Sequence, residues 1–158
     1  MDKLRVAVIG TGMIANQAHF PALKPMREAG LVEVVGVADI RPEVAEETAK
    51  RHQVPNWYAD PQKMLDELHP DFVAVCTPNV HHKEWTIKAL RAGAHVACEK
   101  PIAVTVADAK EMWDTAKECG RMLFPCQCMR WRNYMQHSRR MVCNLLLLHN
   151  IIYKLYHK

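Results

Sequence analysis

No acidic residue follows Glu118 and no glycine follows Gly120. Nowhere do about 18 apolar residues run together, which argues against a membrane-spanning helix. The start, Met1-Asp2-Lys3-Leu4-Arg5, leads straight into a short apolar stretch, without the longer apolar region and small-residue cleavage site of a secretory signal. A cytoplasmic protein is expected. Cys-x-x-Cys is also missing. Cys76 and Cys98 close apolar, strand-like runs, and Cys126 and Cys128 are one residue apart, on one face of a strand. That spacing suits neither a zinc knuckle nor a redox pair, so structural thiols and no metal are expected. Finally, no compact Lys/Arg block exists. Residues 1–118 hold 14 basic and 17 acidic residues, a net of −3, while the seven basic residues beyond them are scattered among Met, Leu, Ile and Cys. Nucleic-acid binding is therefore a minor reading.

What is present is an ordinary globular composition, 49% apolar and 24% charged over 158 residues, enough for one domain with a buried core. Apolar β-rich runs at Leu4–Ile9, Leu31–Ala38, Phe72–Cys76, His95–Cys98 and Met122–Cys128 alternate with helical segments. Short, nearly continuous apolar runs suit strands covered on both faces. Pro42 fits a first helical turn before Val44, Ala45, Thr48 and Ala49. Asn79 is expected to cap a helix ending at Gly93. Thr105-Val-Ala-Asp108 resembles a capping box, opening a helix with Val106, Ala109, Trp113 and Ala116 on one face. Trp57, Trp85 and Trp113 read as core or half-buried anchors, and the methionines as core filler. Repeated strand–helix–strand order implies right-handed crossovers. The fold class is α/β, a Rossmann-type doubly wound parallel sheet with helices on both faces.

The turn Gly10-Thr-Gly-Met-Ile-Ala15 follows the first strand directly. Gly10 permits the tight turn, Gly12 lets backbone N–H groups approach a pyrophosphate, and Ala15 allows helix to pack closely on strand. Met13 and Ile14 open the helix whose unpaired N–H groups and dipole favour the negative charge. Asp39 ends the second strand, where a carboxylate hydrogen-bonds an adenosine ribose. Its distance from Gly12, 27 residues, exceeds the usual gap of about 20 and fits a long first helix and loop through Pro21, Pro25 and Gly30. The carboxylate favours NAD, since it would repel the 2′-phosphate of NADP; Arg41 could pair with that phosphate. An alternative role for Asp39 is to cap the following helix.

Two further strings complete the pattern: Thr77-Pro78-Asn79-Val80-His81-His82 after one buried strand, and Glu99-Lys100-Pro101 after the next. With the glycine turn they make residues 4–132 resemble the glucose–fructose oxidoreductase / inositol dehydrogenase (Gfo/Idh/MocA) family. The resemblance implies that Thr77, Pro78, Asn79 and His82 line the cofactor and that Glu99 contacts the nicotinamide end. Lys100 would reach a substrate hydroxyl and remove or stabilise its proton, a role eased when desolvation or a neighbouring cation lowers the lysine pKa. His19 and His81 are equally readable as packing or surface histidines. Gln127, Arg130 and Trp131 match a region where the family often has an arginine and an aromatic near the cofactor. The implied substrate is a sugar or polyol, with NAD or NADP as cofactor.

Residues 1–131 are thus expected to form the cofactor domain, and residues 132–158 a lead-in helix, from Asn133 to Val142, with an atypical tail. In the tail Met141, Leu145, Leu148, Ile152 and Leu155 make one helical stripe, either laid on the domain or used for self-association. The family continues into a second, substrate domain, and the changed composition after Val142 suggests truncation, a frameshift or a replaced terminus. Little turnover is expected of the chain alone. The competing reading is a stand-alone dinucleotide-binding or interaction module without turnover.

Overall fold

A computed structural model describes residues 2–127. The elements run β1 (Leu4–Ile9), α1 (Phe20–Glu28), β2 (Val32–Ala38), α2 (Pro42–His52), β3 (Trp57–Tyr58), α3 (Pro61–Leu68), β4 (Phe72–Val75), α4 (His82–Arg91), β5 (His95–Glu99), α5 (Val106–Glu118) and β6 (Leu123–Cys126). All five strand pairings are parallel, in the order β3-β2-β1-β4-β5-β6. This is a doubly wound Rossmann sheet, whose strand order reverses between β1 and β4.

Alternation along the strands splits the core into two layers. Ala7 and Ile9 of β1, with Val73 and Val75 of β4, pack towards Met64, Leu65, Leu90 and Met112 of α3, α4 and α5. Val8 and Ala74 point the other way, to Phe20 and Ala49 of α1 and α2. Val34 and Val37 of β2 would fall on opposite faces of a regular strand, yet both join this second layer. A β-bulge explains it: Val6 pairs with Val34 but Ala7 with Gly36, leaving Val35 extra. Asn56 donates its side-chain amide to the Val35 carbonyl at 2.8 Å.

The helix ends are mixed in outcome. Pro42 begins α2, and Gly93 has a φ of +94° after α4. Thr105 accepts from the Asp108 N–H at 3.0 Å and donates its own hydroxyl to the Asp108 carboxylate. Asn79 does not cap: a 3₁₀ turn, Asn79–His81, intervenes, and His81 precedes α4 without a side-chain cap. Burial on α5 runs through Met112, Thr115 and Ala116 rather than the stripe starting at Val106. Trp113 is consequently exposed, and Trp57 on β3 is exposed too, against expectation. Met64 and Met112 are core, whereas Met13 is 72% exposed. Two elements were not read from the sequence, β3 and α3. Asp60 caps α3 by accepting from the Gln62 N–H, and Pro61 starts it. The lead-in helix, the apolar stripe, Arg130 and Trp131 lie outside the described residues.

Candidate functional site

A parallel sheet delivers the ends of all its strands to one edge. The glycine turn, Asp39, the Thr77 loop and Glu99-Lys100 follow β1, β2, β4 and β5, so the four motifs converge at the carboxyl edge, at the switch point. Exposed apolar side chains stand on these same loops: Met13, Ile40 (79% exposed) and Val80 (64%). Ile40 and Val80 escaped the sequence reading, which has no rule for an apolar residue exposed on purpose. A groove of about 690 Å³ lies instead at the opposite edge, by Lys3, Val32, Glu33 and Gln53, away from every motif.

The two glycines of the turn differ sharply. Gly10 has φ +87°, and a Cβ there would stand 2.7 Å from the backbone of Cys76 and Thr77; at Gly12 a Cβ would meet nothing within 4 Å. The first is closed by the protein, the second faces open space. Beyond it the chain winds as a π turn, Ala15–His19, in which the Phe20 N–H reaches back to the Ala15 carbonyl. Pro21 has no N–H to return to Gln17, so the regular ladder could not have continued there. Asn16 holds the turn from inside. Its amide donates to the Thr11 and Gly12 carbonyls at 2.8 and 3.0 Å, while its Oδ1 lies 2.8 Å from His52 Nε2. The sequence reading passed over Asn16, although a side-chain amide one residue beyond Ala15 was the available signal.

Asp39 ties the turn to β2. Its Oδ2 accepts from the Thr11 N–H at 3.0 Å and hydroxyl at 3.2 Å, and its Oδ1 from the Arg41 N–H at 3.1 Å and Nε at 3.3 Å. Burial pushes this carboxyl's pKa up, but the Thr11 and Arg41 hydrogen bonds and the guanidinium outweigh it and hold it below the usual value. Asp39 is not the cap of α2, since Arg41 occupies that position. Arg41 itself is exposed and pairs with Asp39.

On the other side of the switch point, Pro78 and Asn79 are exposed and Thr77 half-buried. The Thr77 hydroxyl is buried and without a partner among the described residues. His82 is buried beneath this loop. It is 1% exposed, with Nδ1 2.9 Å from the Pro101 carbonyl and Nε2 2.8 Å from the Thr77 carbonyl. Its ring therefore bridges the Thr77 loop and the Glu99–Pro101 loop. Glu99 is buried, its Oε1 2.8 Å from His19 Nε2 and its Oε2 accepting from the Lys100 N–H at 3.1 Å. His19 is thus a partner of Glu99, a role sequence spacing did not reveal, while His81 and Gln127 are exposed. Lys100 is exposed too, so the described residues do not enclose its amine.

Residues 4–126 match the family model of the oxidoreductases with an NAD-binding Rossmann fold, GFO_IDH_MocA. The chain is 42% identical over 120 residues to the D-glucoside 3-dehydrogenase of Escherichia coli K12, covering 76% of this chain and 33% of that protein. It therefore spans about a third of the length of this curated relative. Among solved structures, the WlbA dehydrogenase of Chromobacterium violaceum, in complex with NADH and UDP-GlcNAcA, is similar with a TM-score of 0.82 at 32% identity, covering 89% of this chain and 39% of that one. KijD10, a 3-ketoreductase of Actinomadura kijaniata in complex with NADP and TDP-benzene, gives 0.76 at 31%, covering 86% and 40%. Among the described residues no helix is long and apolar enough to cross a membrane.

Proposed function

The chain belongs to the Gfo/Idh/MocA oxidoreductase family, and on that premise we propose that it holds a nicotinamide dinucleotide, NAD in preference to NADP, across the carboxyl ends of β1, β2, β4 and β5. The observation that carries the reading is the space at Gly12, where no atom lies within 4 Å of a would-be Cβ and the first helix begins. The N–H groups of Met13 and Ile14 at that helix start receive the pyrophosphate. Ile40 and Val80 offer apolar contact to the adenine, and Asp39 its carboxylate to the ribose. The four donors around Asp39 occupy its acceptor sites, so the ribose hydroxyls take the place of the exposed Arg41 Nε, the longest of the four bonds. Swung outward, Arg41 is also the group that tolerates a 2′-phosphate, which is why the preference is a bias and not a bar.

When bound, the nicotinamide supplies the hydride acceptor. Thr77, Pro78 and Asn79 border its end of the site, and Glu99, fixed at both oxygens, orients towards it. Lys100 stands where it meets a hydroxyl of a sugar or polyol and takes up or stabilises its proton. Residues 1–131 serve as the cofactor domain. The setting is cytoplasmic, where the buried thiols Cys76 and Cys98 stay reduced. Calorimetric titration with NAD and NADP tests the reading. NAD should bind more tightly than NADP, and Asp39→Ala should narrow the difference. Failure of either cofactor to bind at millimolar concentration would refute it; a ratio unchanged by Asp39→Ala would refute the ribose role.

A further inference from the structure

Three donors of different chemistry meet at the carboxyl edge of β5 and β6. Glu99 and Cys126 are register partners in that pair of strands, so their side chains leave the sheet on the same face. His19, the last residue of the π turn, comes over this face and sets Nε2 2.8 Å from Glu99 Oε1. The imidazole nitrogen, a carboxylate oxygen and Cys126 Sγ all lie within 4.8 Å of one another. Glu99 is buried, and His19 and Cys126 are half-buried. We propose that His19, Glu99 and Cys126 form a three-donor site for a thiophilic divalent cation of the Zn²⁺ class.

The dimensions suit such an ion. Zinc takes nitrogen and oxygen donors at about 2.0–2.2 Å and sulfur at about 2.3 Å, so neighbouring donors of a tetrahedron stand about 3.3–3.8 Å apart. The present set, with His19 and Glu99 at 2.8 Å and all three donors within 4.8 Å, brackets that spacing. Imidazole, carboxylate and thiolate together are a borderline-soft set, which selects zinc over magnesium or calcium. The second carboxylate oxygen is already oriented by the Lys100 N–H, as an outer partner of a metal ligand should be. Cys76, the neighbouring thiol, is not among the donors that lie within 4.8 Å of one another. Three protein donors leave one position open for water or an outside ligand. The site rests on the donor geometry alone and stands whether or not a dinucleotide binds.

Cobalt(II) is the probe, titrated into the full, reduced chain. One equivalent should bind, with a thiolate-to-cobalt absorption band that Zn²⁺ abolishes. Cys126→Ser should remove the band, and His19→Gln or Glu99→Gln should weaken binding by more than about tenfold. Cys98→Ser should change neither, because Cys98 precedes Glu99 on β5, so its side chain leaves the opposite face of the sheet and packs in the core. Circular dichroism of each metal-free variant verifies folding; should Cys126→Ser not fold, the His19 and Glu99 variants decide. Absence of the band in the parent chain, its survival in Cys126→Ser, or undiminished affinity in both His19→Gln and Glu99→Gln would overturn the proposal.

Discussion

Gly10→Ala and Gly12→Val make opposite demands on the structure, and the pair separates folding from binding. At Gly10 the added Cβ would sit 2.7 Å from the Cys76 carbonyl carbon and the Thr77 nitrogen, which are backbone and cannot rotate aside. The φ of +87° adds a conformational penalty of about 1–2 kcal/mol for any residue with a Cβ. Forcing β1 and β4 apart at this point adds about 1–3 kcal/mol, the usual range for overpacking. The sum, about 2–5 kcal/mol, is a large fraction of an ordinary domain's stability and lowers the melting temperature by about 4–20 °C. At Gly12 the side chain projects into open space, so stability should change by no more than about 0.5 kcal/mol. Its methyl groups, however, fill the volume proposed for the pyrophosphate. Scanning calorimetry of both variants, followed by NAD titration of the folded Gly12→Val chain, provides the measurements. The expected result is a destabilised Gly10→Ala and a Gly12→Val that melts like the parent and no longer binds. Parental melting of Gly10→Ala would show the turn to be slack. Parental NAD affinity in Gly12→Val would place the phosphates elsewhere.

Asp39→Asn should change the acid limb of the stability curve. The folded carboxyl titrates below its ordinary value, so its contribution is complete above about pH 4 and is lost as the pH falls through the lower folded value. The parent's advantage in melting temperature should therefore hold from pH 7 to 5 and shrink towards pH 3; an advantage that grew on acidification would contradict the assigned sign. His82→Phe removes the imidazole N–H set between the Thr77 and Pro101 carbonyls, at a cost of about 1–3 kcal/mol, and His82→Gln should recover part of it. Urea unfolding would show the order parent, Gln, Phe, and equal midpoints would deny the bridge. Thr105→Ala removes the α5 cap at a cost of about 1 kcal/mol, which Thr105→Ser should avoid; thermal melts of the two variants are the check.

The elements that announced themselves did so through local chemistry. β1, β2, β4, β5 and β6 are short apolar runs that cannot remain exposed, and Gly10, Pro42, Gly93 and Thr105 carry out backbone tasks that depend on their own atoms. Those positions were legible because the energy involved is short-range. β3 and α3 were not, since two residues of strand make no period and eight of helix little more. The α5 face was misread for a related reason: Val106, Ala109, Trp113 and Ala116 and the set with Met112, Thr115 and Ala116 both fit a helical stripe. Only the sheet's position selects between them.

The sequence by itself determined that the glycine turn, Asp39, the Thr77 loop and Glu99-Lys100 each follow a strand, and parallel pairing then obliges them to meet at one edge. It did not determine what each side chain touches there. Asn16 against His52, 36 residues on, His82 against the Pro101 carbonyl, 19 residues on, and His19 on a carboxylate 80 residues away are contacts between segments distant in the chain. Their partners are backbone carbonyls and buried groups whose orientation is set by strand register, the β2 bulge and the π turn. Spacing along a chain carries no record of those rotations; they exist only once both layers of helices have packed against the sheet.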